Sequence, residues 1–310
     1  MGFETDREIE VSALDARLAN IRLGGALTLA AESEDGVIDV TATAAKLGLP
    51  APRDIDDLLQ NKRAAEVRAV LAAVKRSKAN GIVVPNAEVS FAPVVTRPEK
   101  IICVGFNYRE HAAETNTPIP EAPPLFNKFN NALNHHEGRV QLPTRVARQF
   151  DYETELVVVF GRDCRDVAEV EALDVVAGYA TGNDISAREL QTATSQFLAG
   201  KTSDGFAPLG PWLVTRNRVP DPNALRLQTW VNGKVRQDWN TRDMIFNCRQ
   251  LISYASNIMT IKAGDILFTG TPQGVILGEK GPREQRQWLK SGDEVVSSIE
   301  GLGELRVRLV

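Results

Sequence analysis

The chain has 310 residues, 43% of them hydrophobic and 25% charged, with a formal net charge of −4. Such values describe an ordinary globular chain long enough for a substantial core. The acidic balance and the lack of a basic cluster argue against nucleic acid as the main partner. No apolar run approaches the ~20 residues of a membrane span. Cys103, Cys164 and Cys248 are too few and too widely spaced for a disulfide framework or a Cys-rich zinc site. Residues 1–10 lack the basic and apolar regions of a signal peptide, so the expected compartment is the cytoplasm.

Residues 1–96 concentrate no catalytic residue types and are read as a small N-terminal α+β domain with a packing or dimer role. Strand-like runs at Ile21–Leu29 and Gly36–Ala42 precede a helical stretch from about Asp56 to Lys78. That stretch carries Leu58, Leu59, Val67, Val70, Leu71 and Val74 at near-helical spacing. Pro93 to Lys100 reads as a linker into a second domain, residues 97–310.

From Ile101 onward, apolar strand-like runs recur at Ile101–Val104, Leu156–Phe160, Val175–Thr181, Leu225–Val231, Ile266–Thr269, Val295–Ile299 and Leu305–Val310. Asn232-Gly233 between two such runs predicts a type I′ hairpin. Helices are expected at Arg109–Thr115, Ser186–Leu198 and Phe246–Ile258. Many strands with few, irregularly placed helices predict a β-rich α+β domain rather than a doubly wound sheet.

Within this domain, Glu153 and Glu155 run directly into Leu156-Val157-Val158-Val159-Phe160. Residues two apart on a strand share a face. Two like charges about 4 Å apart repel by roughly 4 kcal/mol at an effective dielectric near 20. Asp184 closes a second buried strand, next to a helix start. A divalent cation removes the penalty of gathering these carboxylates, and an all-oxygen set suits Mg²⁺, Ca²⁺ or Mn²⁺. The plainer alternative is an exposed Glu-x-Glu strand face.

Other constellations offer supporting chemistry. His111 and Glu114 lie three apart, on one helical face, where a carboxylate can orient an imidazole as a general base; the alternative is a surface ion pair. Lys201, in a loop between helix and strand, can neutralise a carboxylate or an enolate, or simply be solvated. Thr269-Gly270-Thr271-Pro272-Gln273-Gly274 is a tight turn able to present a hydroxyl and N–H groups to an anion, or an ordinary turn. His135 and His136, in a polar Asn-rich loop, are left out of the chemistry.

Five ordered motifs then resemble the fumarylacetoacetate hydrolase family over about Lys100 to Val310. They are Val-Gly-Phe-Asn-Tyr-Arg-Glu-His-Ala-Ala-Glu, Asp-Tyr-Glu-Thr-Glu-Leu, Gly-Tyr-Ala-Thr-Gly-Asn-Asp-Ile-Ser-Ala-Arg, Gly-Lys-Thr-Ser-Asp-Gly-Phe-Ala-Pro-Leu-Gly-Pro and Thr-Gly-Thr-Pro-Gln-Gly-Val. The resemblance implies a mixed β-sandwich roll, a homodimer, and Mg²⁺ or Mn²⁺ on Glu153, Glu155 and Asp184. It also implies a His111–Glu114 dyad on a helix that orders when substrate binds, and a catalytic Lys201. Tyr108, Arg188, Gln191 and Thr271 fall on substrate-binding positions. Where many bacterial relatives read Phe-Leu-Lys-Pro, this chain has Phe126-Asn127-Lys128-Phe129. The implied activity is hydrolysis of the C–C bond of a 2,4-dioxo acid. Oxaloacetate decarboxylation and 2-hydroxy-dienoate isomerisation use the same core, and a non-catalytic ligand-binding protein is the alternative of another class.

Overall fold

The computed structural model describes residues 10–310; most of the acidic start, residues 1–9, lies outside them. A ten-stranded mixed sheet runs in the order Val83–Val84, Gly36–Asp39, Ala26–Ser33, Arg17–Leu23, Leu213–Thr215, Val176–Asn183, Thr154–Phe160, Ile266–Phe268, Ile101–Val104 and Leu125–Lys128. A five-stranded sheet lies beside it, in the order Lys234–Asn240, Arg226–Val231, Glu294–Ile299, Gly303–Leu309 and Gly138–Val140. The architecture is β-rich α+β, as the strand pattern predicts.

Thr154–Phe160 is buried at every position because it sits mid-sheet with both faces covered, which is why its sequence is a continuous apolar run. Val157 and Val159 face one core cluster, and Leu156, Val158 and Phe160 face another. Polar side chains tie the two sheets together. The Thr154 hydroxyl lies 2.5 Å from the Thr229 hydroxyl and 2.7 Å from that of Ser297, and Asn183 donates to Ser297 at 2.9 Å.

The N-terminal segment extends the main sheet. Arg17–Leu23 pairs antiparallel with Leu213–Thr215. Leu18, Leu29, Leu58 and Val67 pack in the same cluster as Val157, Val159, Ala180 and Phe268. The change of composition near residue 96 therefore marks no break in sheet or core.

Several expected elements shift for local reasons. The Ile21–Leu29 run is a hairpin, Arg17–Leu23 and Ala26–Ser33. Gly36–Asp39 ends where the Asp39 carboxylate accepts the Ala42 N–H at 2.8 Å and caps a helix, Val40–Leu47. The long helical stretch divides into Ile55–Gln60 and Ala64–Arg76. Ser186–Ala187 is a short strand, followed by separate helices Arg188–Thr192 and Leu198–Lys201. There the Thr192 and Thr194 hydroxyls bond the Arg188 and Gln196 carbonyls, competing with the helix ladder. At the predicted hairpin, Asn232 and Gly233 adopt φ of 50° and 76°.

Candidate metal centre and active site

Sheet register assembles the acidic trio. Thr154 pairs with Asn183 and Glu155 with Gly182. Asp184 therefore arrives opposite Glu153, whose carbonyl accepts the Asp184 N–H at 2.8 Å. Carboxylate oxygens of Glu153, Glu155 and Asp184 lie within 4.8 Å of one another, and all three residues are buried.

Three cations hold the cluster. The Lys201 ammonium lies 2.5 Å from Glu153 Oε2 and 2.7 Å from Asp184 Oδ2. The Arg188 guanidinium lies 2.7 Å from Glu153 Oε1 and 2.8 Å from Asp151 Oδ2, and donates to Gln191 Oε1 at 2.8 Å. The Lys128 ammonium, also buried, lies 2.6 Å from Asp184 Oδ1 and donates to the Ile185 and Phe206 carbonyls. Lys201 ends a short helix rather than occupying a solvated loop.

Glu155 stands apart. It accepts the Gly270 N–H at 2.7 Å, and no cation lies within ion-pairing distance of it among the described residues. Burial, with Asp184 and Glu153 beside it, pushes its carboxyl well above the usual carboxylate range. Glu153 moves the other way: burial works to raise it, but Arg188 and Lys201 prevail and hold it low. Burial would lower Lys201, yet Asp184 and Glu153 raise it. For Lys128, burial wins and its ammonium is depressed. The carboxyl groups of Asp151, Glu153, Glu155 and Asp184 thus face the cationic side chains of Lys128, Arg188 and Lys201. An oxygen donor set this close, including one buried carboxylate short of a counter-charge, fits a hard divalent cation.

The cluster faces a cavity of about 30 Å³, roofed by Phe106, Phe126 and Phe197 and bordered by His111, Gln191, Thr271 and Leu277. His111 Nδ1 lies 2.8 Å from Glu114 Oε1. Glu114 in turn accepts the Gly274 N–H at 3.0 Å, which ties the Arg109–Glu114 helix to the 270–278 turn. Thr271 donates its hydroxyl to the Thr154 carbonyl at 2.9 Å and accepts from Gln237 Nε2 at 2.9 Å. Tyr108 is not brought to the cavity. It packs with Leu156, Met244 and Leu251 in the core on the other face of the sheet. Larger hollows of about 530 and 430 Å³ lie elsewhere, so chemistry rather than size singles out this site.

The sequence pattern left three contributors unassigned. Lys128 sits in a motif notable only for departing from Phe-Leu-Lys-Pro. Asp151 shares the parity of Glu153 and Glu155, a signal that was available; its carboxylate accepts the Ile276 and Leu277 N–H groups, each at 2.9 Å, besides holding Arg188. Gln237 comes from the second sheet and has no local signature.

Residues 100–310 match the family description "Fumarylacetoacetate (FAA) hydrolase C-terminal". The chain belongs to the fumarylacetoacetate hydrolase family. Among relatives, the protein named oxaloacetate tautomerase FAHD2A, mitochondrial, of Bos taurus is 39% identical over 99% of this chain and 94% of its own length. Its Homo sapiens counterpart is 37% identical over 96% and 92%. Among solved structures, fumarylacetoacetate hydrolase of Exiguobacterium antarcticum superposes with a TM-score of 0.81 at 28% identity, covering 95% of this chain and 99% of that one. Maleylpyruvate hydrolase of Sphingobium sp. SYK-6, solved with manganese(II) and pyruvate, superposes with a TM-score of 0.75 at 30% identity, covering 95% and 98%. Family members with these names are enzymes acting on small molecules.

Proposed function

We propose that this family member is a divalent-cation-dependent hydrolase cleaving the C–C bond of a 2,4-dioxo acid to a 2-oxo acid and a carboxylic acid. The supporting observation is a trio of buried carboxylates and a His–Glu dyad bordering one cavity. Glu153, Glu155 and Asp184 would hold Mg²⁺ or Mn²⁺. A bound divalent cation supplies Lewis-acid polarisation of the substrate's keto and carboxylate oxygens.

The chain's own groups do the rest. With His111 Nδ1 committed to Glu114, Nε2 is the ring nitrogen that takes a proton from the attacking water. Glu114 stabilises the imidazolium so formed, and its bond to the Gly274 N–H fixes its own position. Lys201 brings positive charge to the place where negative charge develops. Arg188 and Gln191 orient the substrate carboxylate, and the three phenylalanines exclude bulk water.

A second reading draws on two observations: the nearly full-length similarity to proteins named oxaloacetate tautomerase, and the small cavity. In that reading His111 moves a proton at C3 of oxaloacetate and no water attacks. Decarboxylation of the same acid would use the same carboxylate-bound cation, again with no attacking water.

The deciding experiment is a panel of acetylpyruvate, fumarylpyruvate and oxaloacetate, in keto and enol forms, assayed with Mg²⁺, with Mn²⁺ and with EDTA. Cation-dependent release of pyruvate from a 2,4-dioxo acid is the expected result. Turnover confined to oxaloacetate moves the assignment to the second reading, and no EDTA-sensitive turnover at all leaves a ligand-binding protein. His111→Ala is expected to reduce cleavage by about 10²-fold or more. Cleavage at the wild-type rate would remove His111 from the mechanism.

A further inference from the structure

A separate cleft of about 430 Å³ opens on the far side of the 271–278 turn, within the size range of small-molecule sites. Lys234, Arg236, Arg286 and Lys290 line it, together with Tyr152 and Trp288. On a chain of net charge −4, four cations converging on one hollow create a local field of opposite sign.

Their charges are only partly answered. Arg236 is paired with Glu279 and donates to the Tyr152 hydroxyl at 2.9 Å. Arg286 spends its terminal nitrogens on the Leu277 and Gly281 carbonyls, which carry no charge, and its Nε is buried without a partner among the described residues. Lys234 and Lys290 make no ion pair among the described residues. Among the described residues Asp293 is the one carboxylate in the lining, engaged by the Asn232 side chain and the Lys290 N–H. Four cations against Asp293 and Glu279 leave an excess of two positive charges.

We propose that this cleft binds a small polyanion, a di- or tricarboxylate or a phosphate ester, at a site distinct from the 2-oxo acid cavity. The excess charge matches a ligand with two or three negative charges, the two exposed lysines supply charged donors, and Trp288 borders the same hollow. The two sites share a partition. Ile276 faces the cleft and Leu277 the cavity. Tyr152 donates to the Gly274 carbonyl at 2.7 Å, while the Gly274 N–H reaches Glu114.

The test is calorimetric titration of the full chain, in EDTA, with inorganic phosphate and, separately, propane-1,2,3-tricarboxylate. One equivalent is expected to bind, the tighter probe identifying a phosphate or a carboxylate ligand. The exposed-lysine variant Lys234→Glu/Lys290→Glu is expected to weaken binding at least tenfold while leaving turnover without probe unchanged. Trp288→Phe should abolish the probe-induced change in tryptophan fluorescence. Equal affinity in wild type and the double variant, a fluorescence change that survives Trp288→Phe, or no binding to wild type at tens of millimolar each overturns the proposal.

Discussion

Glu155 carries a cost that a cation would relieve. Its folded-state pKa lies above its unfolded value. The metal-free protein is therefore fully stable, with respect to this group, below about pH 4, and loses stability as pH rises toward the raised pKa. Glu155→Gln should flatten that slope. In EDTA at pH 8 the variant is expected to melt higher than wild type, by about 2–4 °C for each pKa unit removed. Mn²⁺ is expected to raise the Tm of wild type and to leave that of the variant unchanged. A lower Tm than wild type in EDTA would refute the account. Asp151 makes a different contribution, since it touches Arg188 rather than the cavity. Hydrogen bonds to charged groups are worth about 1.5–3 kcal/mol, so Asp151→Asn should raise KM by roughly tenfold and change kcat less. A loss confined to kcat would show that Asp151 does not act through Arg188.

Short elements hold the site's cations, and they do so by close approach. A Cβ on Gly200 would stand 2.4 Å from the Gln191 nitrogen and 2.6 Å from the Ala187 carbonyl oxygen. Only glycine lets Leu198–Lys201 pack this tightly on Arg188–Thr192, which places Lys201 and Arg188 on the same glutamate. Gly200→Ala should cost about 1–3 kcal/mol of stability through overpacking and at least tenfold in kcat. Thermal melts and steady-state rates check both, and wild-type values for either would disprove the packing argument. The capping box at Asn247, where Asn247 and Gln250 each bond the other's backbone, shows the opposite case. It starts the Cys248–Ile258 helix from local chemistry alone, and the helix expected at Phe246–Ile258 begins within two residues of that start.

Across the whole molecule, the N-terminal segment and the family-matched region share one sheet and one apolar cluster. Deleting residues 1–96 would uncover the Leu213–Thr215 edge and the apolar faces of Val157, Val159 and Phe268. Exposed edges and patches of that kind aggregate. The truncated chain is expected to be insoluble or polydisperse by size-exclusion chromatography; a soluble, cooperatively melting fragment would contradict this.

Much of this protein was legible before any fold was known. Period-two alternation put Glu153 and Glu155 on one face, the apolar run marked a strand covered on both sides, and Asn-Gly specified its hairpin, because each is decided by neighbours along the chain. Charge balance is not local in that way. Lys128, Asp151 and Gln237 matter because register and sheet packing bring separated segments within 3 Å of the acidic cluster or its supports, and Tyr108 falls away because the sheet turns it to the opposite core. The amino-acid order thus determined which residues form the acidic centre. Only the tertiary structure decided which cations answer those charges, because Coulombic pairing depends on distance in space rather than along the chain.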